Sequence, residues 1–454
     1  MNPHIFRAYD IRGKADRDLP DDVVRAIGQA FATVIVRRGL LRQVAVGRDA
    51  RLSSPRIRDA LSEGLRAGGC DVLDVGLVPT PLVYFAAYTR EVGGAVMVTG
   101  SHNPGDENGL KMVIDKAALF GDDIAELQRI AREGDFEHGT GIDRGIEVVR
   151  PYVDQQKLMV EFGPRRLKVV VDAGNGPTGP LAPGLLEDLG IDVVPLYCEL
   201  DGTFPNHHPD PTVEENLLDL RAAVAAHGAD LGVAYDGDGD RIGVLDEQGN
   251  VVWGDRLLAL FARALLAEVP GAAIVAEVKC SDVLFDDIAK HGGRPIMGQV
   301  GHSLIKARMK AEGALLAGEM SGHIFFAHRY FGYDDAIHAT LRLLEILTHG
   351  EAPLSALLAD LPATVATPEL RLNCPDAHKF AIVAHVRDQF AGRLPTVDID
   401  GVRVRFDDGW GLVRASNTGP VLVMRCEAST AEACAANEAT LREAVARATA
   451  ELVP

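Results

Sequence analysis

The segment LGVAYDGDGDR, residues 231 to 241, joins a short apolar run directly to a polar loop rich in glycine. Two other segments have the same form: AVMVTG (95–100) leads into SHNPGDENG (101–109), and LLAGE (315–319) leads into MSGH (320–323). Short apolar runs with β-branched residues are typical of buried strands, and α/β sheets place their ligands where such strands end. The pattern therefore predicts an α/β protein with its chemistry at three strand ends.

Short strands alternate with helical stretches through most of the chain, as in βαβ units. The first unit holds strands at 43–47 and 95–99 with a helix at 55–67 between them, and the charged, glycine-rich stretch 133–145 is interpreted as a linker. After residue 362 the chain changes to alternating strands and a final amphipathic helix. We expect α/β domains at residues 1–146, 147–250 and 251–362 and a smaller α+β domain at residues 363–454.

The composition is that of an ordinary globular chain, with 47% hydrophobic and 24% charged residues among 454. A formal net charge of −19 opposes binding to nucleic acid or to an anionic membrane, because both require a basic surface. The first dozen residues lack the apolar core of a secretory signal, and no stretch reaches the roughly 18 apolar residues of a membrane span. Six scattered cysteines show no disulfide-framework spacing. We expect a cytoplasmic protein with free thiols.

The loop DGDGDR is a candidate metal site. Asp236, Asp238 and Asp240 alternate with glycines, so three carboxylates on a permissive backbone can converge on one hard cation. An EF-hand loop is a poor alternative, because Arg241 stands at the sixth position, where that turn needs glycine. Magnesium fits best, since an incomplete set of carboxylates leaves places for water and phosphate oxygens.

The loop that begins with Ser101 offers a candidate nucleophile. A serine at the end of a strand has an exposed hydroxyl that can attack a group or carry one, and Asn103-Pro104 favours a turn beside it. Taken alone, the segment is weak evidence for a nucleophile and is better explained as a turn with Ser101 and Asn103 as capping residues. The GxSxG elbow of serine hydrolases is absent, so acyl transfer has no support.

Two later loops are rich in polar groups. GEMSGH places Glu319, Ser321 and His323 at alternate positions, where all three can face one polyhydroxylated ligand. RASNTGP supplies a cluster of donors suited to phosphate oxygens, Arg414, Ser416, Asn417 and Thr418. Further cations are scattered along the chain, Arg12, Arg48, Lys111, Arg241 and Lys279. Each alone reads as a surface charge or a structural ion pair, but as a set they suit an anionic ligand.

Together, six stretches resemble the α-D-phosphohexomutase superfamily, and specifically its bacterial phosphomannomutase/phosphoglucomutase branch. They are FRAYDIRG (6–13), GRD (47–49), TGSHNP (99–104), DGDGDR (236–241), GEMSGH (318–323) and RASNTGP (414–420). The match is ordered along the whole chain. The resemblance implies three α/β domains of one kind with mixed sheets and a distinct, smaller fourth domain around one central cleft.

The resemblance also implies a reaction: reversible phosphoryl transfer between C1 and C6 of mannose and glucose phosphates, through a phosphorylated Ser101 and a 1,6-bisphosphate. Mg²⁺ would be held by Ser101, Asp236, Asp238 and Asp240. Glucose 1,6-bisphosphate would be both activator and intermediate. The implied partners are small hexose phosphates, without nucleic acid or membrane, and the chain would act as a monomer or a dimer.

The remaining candidates take their roles from the same resemblance. Lys111, His302 and His323 are candidates for the general acid or base, a choice that the sequence leaves open, and Arg12 is a further catalytic candidate. The implied substrate contacts are Tyr9, Arg12, His102, Arg241, Lys279, His302, Glu319, Ser321, His323, Arg414, Ser416, Asn417 and Thr418.

Three alternatives remain. A phosphoglucosamine mutase would use the same serine and metal, although Met320 favours the mannose/glucose branch. A carbohydrate-binding homologue without activity requires that Ser101 cannot be phosphorylated. The third alternative is an NAD-dependent oxidoreductase, because Gly174–Gly179 forms a GxGxxG after the strand KVVVDA, with Glu199 twenty residues beyond the last glycine of that motif, Gly179. That alternative leaves the metal loop and the Ser101 loop without functions.

Overall fold

A computed structural model describes residues 1–417 and 419–453, so Thr418, one of the expected phosphate contacts, lies outside the described residues. Within those residues the strands form four sheets. Among the described helices, none combines the length and apolar character that a membrane crossing needs.

The first sheet is mixed and has the order β1-β5-β4-β2-β3-β7, with β6 paired to β5. Its strands are β1 Ile11–Lys14, β2 Gln43–Arg48, β3 Asp71–Leu77, β4 Gly94–Val98, β5 Glu107–Ile114, β6 Ala117–Ala118 and β7 Asp143–Gly145. The accompanying helices are α1 Ala15–Asp18, α2 Asp21–Arg37, α3 Ser54–Ala67, α4 Thr80–Thr89 and α5 Asp122–Glu133. The prediction of a linker at 133–145 is wrong for its last three residues, because these form β7, which pairs in parallel with β3 and extends this sheet.

The second sheet has the order β12-β11-β10-β8-β9. Its strands are β8 Lys168–Asp172, β9 Asp192–Leu196, β10 Leu231–Tyr235, β11 Ile242–Asp246 and β12 Val251–Val252. The helices are α6 Val149–Met159, α7 Ala182–Asp188 and α8 Leu218–His227. The expected strands at 168–172 and 231–235 are therefore present, and the hairpin turn signalled by residues 246–250 joins β11 to β12.

The third sheet has the order β14-β13-β15-β16. Its strands are β13 Ala273–Glu277, β14 Arg294–Gly298, β15 Leu316–Gly318 and β16 Ile324–Phe326. The helices are α9 Gly254–Glu268, α10 Asp282–Lys290, α11 His302–Glu312, α12 Ala336–Thr348 and α13 Leu354–Leu357.

The fourth sheet is antiparallel, in the order β17-β22-β21-β20-β19, with β18 also paired to β22. Its strands are β17 Val365–Ala366, β18 Leu370–Asn373, β19 Thr396–Val397, β20 Val402–Arg405, β21 Trp410–Ala415 and β22 Val421–Ala428, and its helices are α14 Lys379–Phe390 and α15 Ala431–Leu452. Buried Trp410 and Leu412 pack with Val278 and so join this domain to the third. The expected smaller α+β domain is confirmed.

The first three sheets share one arrangement of four strands. The orders β3-β2-β4-β5, β9-β8-β10-β11 and β14-β13-β15-β16 each place three parallel strands beside one antiparallel strand. In each sheet, a polar loop joins the last parallel strand to the antiparallel one. One buried apolar cluster, which includes Phe85, Val169, Phe261 and Ile337, runs through all three domains. The expected three domains of one kind are confirmed, and the three polar loops occupy equivalent places in them.

Candidate active site

Ser101 lies at the meeting point of the first and second domains. Its side chain is 1% exposed, and its Oγ lies 2.8 Å from Oδ2 of Asp236 and 3.0 Å from Nδ1 of His102. The backbone of Ser101 has a φ of 49°, a left-handed conformation that is uncommon for a residue other than glycine and costs free energy. Burial is the main cause that lowers the pKa of His102 far below its ordinary value, so this ring is neutral at pH 7. The loop that begins at Ser101 therefore places its serine hydroxyl against the loop that begins at Asp236.

The conformation of this loop depends on Arg51, a residue that the sequence analysis did not select. Its guanidinium is buried beside Asp49 and donates hydrogen bonds to the carbonyl oxygens of Ser101, Asn103, Pro104 and Glu107. Gly100 is required here because a Cβ at this position would lie 2.4 Å from Cζ of Arg51. Because Arg51 binds these carbonyl groups on one side of the loop, the side chain of Ser101 faces the second domain.

The aspartates of the second loop are all fully buried. Oδ1 of Asp236 accepts hydrogen bonds from the backbone N–H groups of Gly239, Asp240 and Arg241, at 3.0 to 3.2 Å, which fixes that carboxylate. Burial and repulsion from Asp238 and Asp240 raise the pKa of Asp236 far above its ordinary value. A group of three buried carboxylates is stable in ionised form only with a cation beside it.

The three aspartates fit a divalent cation. One oxygen from each lies within 4.8 Å of the others, and the described residues provide no hydrogen-bond partner for Oδ1 of Asp238 or Oδ1 of Asp240. Buried carboxylate oxygens that face one another without donors are the ligands that Mg²⁺ takes, with its remaining places left for water or phosphate. The residues therefore fit the metal that the sequence predicts.

Lys111, on β5, supplies positive charge to the same carboxylates. Its Nζ lies 2.7 Å from Oδ2 of Asp238 and also contacts Oδ2 of Asp240. Burial alone would lower the pKa of Lys111, but the attraction of the aspartates is larger, so the pKa is raised and the ammonium stays charged. Thr80, at the start of α4, donates to Asp238 at 2.6 Å and adds a further contact between the two domains.

His323 connects the third loop to the metal loop. Its Nε2 accepts a hydrogen bond from Nε of Arg241 at 2.9 Å, and its Nδ1 lies 3.6 Å from Oδ1 of Asp240. His302 stacks on His323 with ring centroids 5.6 Å apart, and Tyr9 from the first domain meets the edge of His302 at 5.3 Å. Three of the expected site residues thus form one aromatic row beside the aspartates.

Asp334 is a functional candidate that the sequence analysis missed. Its Oδ2 lies 3.2 Å from Nδ1 of His323 and 3.5 Å from Nδ1 of His302, and its Oδ1 accepts from Lys306 at 2.8 Å. The carboxylate is fully buried, and although burial would raise its pKa, Lys306 and the histidines hold it well below the ordinary value. Asp334 is therefore the shared anion of both histidines. A buried Asp-Asp pair before α12 was the only sequence signal.

Glu319 and Arg414 are connected through two successive backbone groups. The N–H of Gly301 donates to Oε1 of Glu319 at 2.6 Å, and the N–H of Val300 donates to Asp400 at 3.0 Å, which in turn pairs with Arg414 at 3.1 Å. The described residues provide no partner for Nη2 of Arg414, although it is buried. A guanidinium nitrogen in this state is available for an anionic ligand.

The other expected substrate contacts have the following partners and exposure. Lys279 lies 3.2 Å from Glu369 and 3.6 Å from Glu277, and Arg12 pairs with Asp10 and donates to Asn103 at 3.1 Å. In the fourth domain, the buried Ser416 accepts at Oγ from the N–H of Gly419, and Ser321 and Asn417 are half-buried.

The glycine-rich segment Gly174–Gly179 is not arranged to cradle a phosphate. Its backbone N–H groups are used within the protein: Gly174 donates to the carboxylate of Asp172, Asn175 to the carbonyl of Tyr197, and Gly176 to the carbonyl of Ala173. A dinucleotide site needs such groups free to face a pyrophosphate. The geometry therefore opposes the NAD-dependent alternative.

Comparisons with known proteins agree with this geometry. The chain matches the family models for phosphoglucomutase/phosphomannomutase α/β/α domain I at residues 3–138, domain II at 150–249, domain III at 253–365, and the C-terminal domain at 369–444. It is 48% identical to a phosphomannomutase/phosphoglucomutase of Pseudomonas aeruginosa, over 94% of this chain and 92% of that protein. It is 45% identical to a phosphoglucomutase of Neisseria gonorrhoeae, over 94% of this chain and 93% of that protein.

A solved structure is similar over almost its whole length. The crystal structure of a phosphoglucomutase/phosphomannomutase family protein from Burkholderia thailandensis superposes with a TM-score of 0.93 at 45% identity, covering 99% of this chain and 98% of that one. Matches to all four domain models, together with relatives of this identity and coverage, establish the family. The chain belongs to the phosphoglucomutase/phosphomannomutase family.

Proposed function

We propose that this protein reversibly transfers a phosphoryl group between C1 and C6 of mannose and glucose phosphates, through phosphorylated Ser101. One observation carries the proposal: the Ser101 hydroxyl, in a strained backbone conformation, lies 2.8 Å from Asp236 within a group of three buried aspartates. C1 and C6 of one hexose are too far apart to exchange a group directly. A serine that donates a phosphoryl group and later recovers one removes that obstacle.

The first transfer converts a hexose monophosphate into a bisphosphate. The bond between Oγ of Ser101 and phosphorus breaks as the free hydroxyl oxygen of the sugar bonds to phosphorus. The sugar hydroxyl loses its proton to a base, and Oγ of Ser101 takes up a proton to become a hydroxyl. The 1,6-bisphosphate then turns end for end. In the reverse step its other phosphoryl group bonds to Oγ of Ser101, the serine hydroxyl loses its proton to the base, and the sugar oxygen released from phosphorus regains a proton. Glucose 1,6-bisphosphate is accordingly proposed as both intermediate and activator.

We assign the proton transfers to His323 and the charge compensation to Lys111. Nε2 of His323, which accepts from Arg241, carries the lone pair that a base needs, and Nδ1 of the same ring lies 3.6 Å from Asp240 of the metal loop. Lys111 is held as an ammonium by the aspartates and suits the role of a cation beside the phosphoryl group. Burial and Lys306 lower the pKa of His302 far below its ordinary value, so His302 is a neutral neighbour of His323.

Mg²⁺ would be held by Asp236, Asp238 and Asp240 together with an oxygen on Ser101. When bound, the metal supplies Lewis-acid stabilisation of the phosphoryl oxygens. Without a cation, phosphoserine would add about two negative charges to three aspartates, which Arg12 and Lys111 alone do not offset. This charge balance supports a metal requirement.

The sugar is proposed to be held by groups that tolerate its reversal. Glu319 uses Oε1 to accept from Gly301, which leaves Oε2 for a hydroxyl, and Ser321 follows on the same turn. O3 and O4 exchange places when the ring turns end for end, so one carboxylate can hold either. Since this contact does not involve C2, where mannose and glucose differ, both sugars are proposed substrates. Arg414, Ser416, Asn417 and Lys279 are proposed to bind the phosphate that does not react.

A coupled assay tests the proposal. Purified protein with Mg²⁺ and a trace of glucose 1,6-bisphosphate is given glucose 1-phosphate, mannose 1-phosphate or glucosamine 1-phosphate. The proposal expects the 6-phosphates of glucose and mannose to form. Turnover of glucosamine 1-phosphate alone would favour the phosphoglucosamine alternative, and a lack of turnover with all three would refute the function.

We further propose that the chain acts as a monomer in the cytoplasm, with domains bounded near residues 146, 250 and 362. Residues of all four domains contribute to one site within a single chain, which supports a monomer as the unit of activity. The cysteines are free thiols, five of the six being buried, which suits a reducing compartment. Light scattering during gel filtration would identify a dimer.

A further inference from the structure

The glycine-rich segment Gly174–Gly179 and the loop that follows β9 have no role in the reaction proposed above. They lie next to each other: Gly174 has a φ of 50°, and a Cβ there would lie 2.9 Å from the side chain of Pro209. A Cβ on Gly179 would lie 2.1 Å from the carbonyl oxygen of Cys198. The glycines therefore permit close approach to a protein segment rather than to a phosphate.

Asp172 anchors that segment to the end of β8. It is fully buried, and while one carboxylate oxygen accepts from Gly174, the other lies 2.9 Å from Nε2 of His207. Nδ1 of His207 faces the carbonyl oxygen of His208 at 3.0 Å. Both ring nitrogens of His207 are thus satisfied, and the backbone of His208 is fixed relative to the second sheet.

His208 reaches from this anchored segment into the first domain. Its Nε2 donates to the carbonyl oxygen of His102, the residue next to Ser101, at 2.5 Å. That carbonyl lies between those of Ser101 and Asn103, both of which accept from Arg51. Two donors from different domains, Arg51 and His208, therefore bind three consecutive carbonyl groups of the Ser101 loop.

The same segment also touches the metal loop. The N–H of Gly237 donates to the carbonyl oxygen of Pro209 at 3.1 Å, and a Cβ on Gly237 would lie 2.4 Å from the carbonyl oxygen of Ser101. The backbone of the metal loop therefore lies directly against that of the serine loop, with residues 207–209 contacting both. A small displacement of either loop would change the distance from Ser101 to the aspartates.

We propose that His208 is a positioning residue that holds the Ser101 loop against the metal loop through its hydrogen bond to the His102 carbonyl. This inference rests on the proposed function, and it assigns the glycine-rich segment the task of seating residues 207–209. Misplacement of a nucleophile lowers turnover far more than it weakens substrate binding, because the proposed contacts to O3 and O4, Glu319 and Ser321, lie on another loop.

The test compares His208→Ala with His208→Gln, whose amide can still donate. The matched control is His349→Ala, since the exposed His349 likewise places Nε2 2.8 Å from a backbone carbonyl oxygen, that of Glu161, and neither residue has a role in the proposed reaction. For each protein kcat, KM, melting temperature and hydrogen exchange of the peptide covering residues 99–109 are measured with Mg²⁺ and glucose 1,6-bisphosphate present.

We expect His208→Ala to lower kcat by about 10- to 100-fold with KM within about threefold of the native value. In His208→Ala, hydrogen exchange should accelerate in residues 99–109 alone, and the melting temperature should match that of His349→Ala. His208→Gln should recover most of the turnover. A kcat within about twofold of native for His208→Ala, unchanged exchange at 99–109, or no recovery with glutamine would overturn the proposal. If native protein has no mutase activity the proposed function fails, but the exchange comparison needs no turnover and still decides whether His208 holds the loop.

Discussion

Nε2 of His323 lies 2.9 Å from Nε of Arg241, so this ring nitrogen carries the lone pair. A guanidinium can only donate, and the neutral imidazole must then carry its proton on Nδ1. Nδ1 faces Oδ2 of Asp334 at 3.2 Å. Arg241 therefore sets the tautomer of the ring that we assign to proton transfer, and Asp334 supplies a negative charge beside its Nδ1, as carboxylates do for histidines in many catalytic sites.

Replacement of Asp334 by asparagine should impair catalysis more than folding. The amide can still accept from Lys306, but it removes the negative charge that Asp334 places beside both histidines. We expect kcat to fall by about 10- to 100-fold, with a smaller change in KM. Steady-state kinetics with glucose 1-phosphate measures both values.

The neighbouring Asp335 provides the matched control. Its carboxylate faces the hydroxyl groups of Tyr152 and Tyr330 and caps α12 by accepting from the N–H of His338, and no ion pair joins it to His302 or His323 among the described residues. Asp335→Asn preserves a capping oxygen and should retain native kcat. Equal kcat in the two asparagine variants would contradict the role given to Asp334.

Asp335 also predicts a pH-dependent stability. Burial raises its pKa from 3.8 to about 6, so the folded protein binds this proton more tightly than the unfolded chain does. The associated stability is fully present below about pH 4 and is lost as the pH rises through 6, a difference of about 3 kcal/mol. Asp335→Asn does not titrate. Its melting temperature relative to native protein should therefore rise between pH 4.5 and pH 7.5, and a constant difference across that range would refute the prediction.

Metal removal should affect stability as well as activity. Chelation leaves Lys111 as the cation that contacts Asp238 and Asp240, so we expect turnover to fall and readdition of Mg²⁺ to restore it. Mg²⁺ should also raise the melting temperature of native protein, because it binds only the folded site. Asp240→Asn should lose this increase, whereas Asp188→Asn, an exposed partner of Lys157, should keep it. Full activity after exhaustive chelation would contradict the metal site.

The strand-and-loop pattern was sufficient to predict much of the fold. The loops at Ser101, Asp236 and Glu319 occupy equivalent hairpins. They were predictable because the spacing of apolar residues, which favours a strand, and the glycines, which favour a turn, depend only on residues close together in the sequence. The roles of Arg51 and Asp334 were not predictable in this way. Arg51 contacts carbonyl groups about 50 residues away, and Asp334 meets His302 and His323 only after α11, β15 and β16 have packed.

The strand at the edge of the first sheet and the glycine-rich segment were also not predictable from local sequence, because both depend on residues distant in the chain. Residues 143–145 are polar and exposed, so nothing in their sequence marks them as a strand until β3 pairs with them. Gly174–Gly179 has the spacing of a dinucleotide motif, yet its N–H groups face protein acceptors. Spacing alone does not determine what a glycine approaches.

Sugar discrimination should be weak. Glu319 and Ser321 are proposed to hold O3 and O4, and neither distinguishes the C2 epimers. We expect the ratio of kcat/KM for glucose 1-phosphate and mannose 1-phosphate to stay below about 100-fold, since a site that hydrogen-bonds O2 directly would discriminate more strongly. Parallel assays at equal Mg²⁺ and activator measure the ratio, and a larger preference would mean that C2 is read.

The central claim is that Ser101 accepts and returns a phosphoryl group. Intact mass measured before and after incubation with glucose 1,6-bisphosphate and Mg²⁺, followed by peptide mapping, tests it most directly. We predict the gain of one phosphoryl group on the peptide that contains Ser101, its removal by glucose 1-phosphate, and no gain in Ser101→Ala. A protein that gains no phosphoryl group, or that carries it on another residue, would contradict the mechanism.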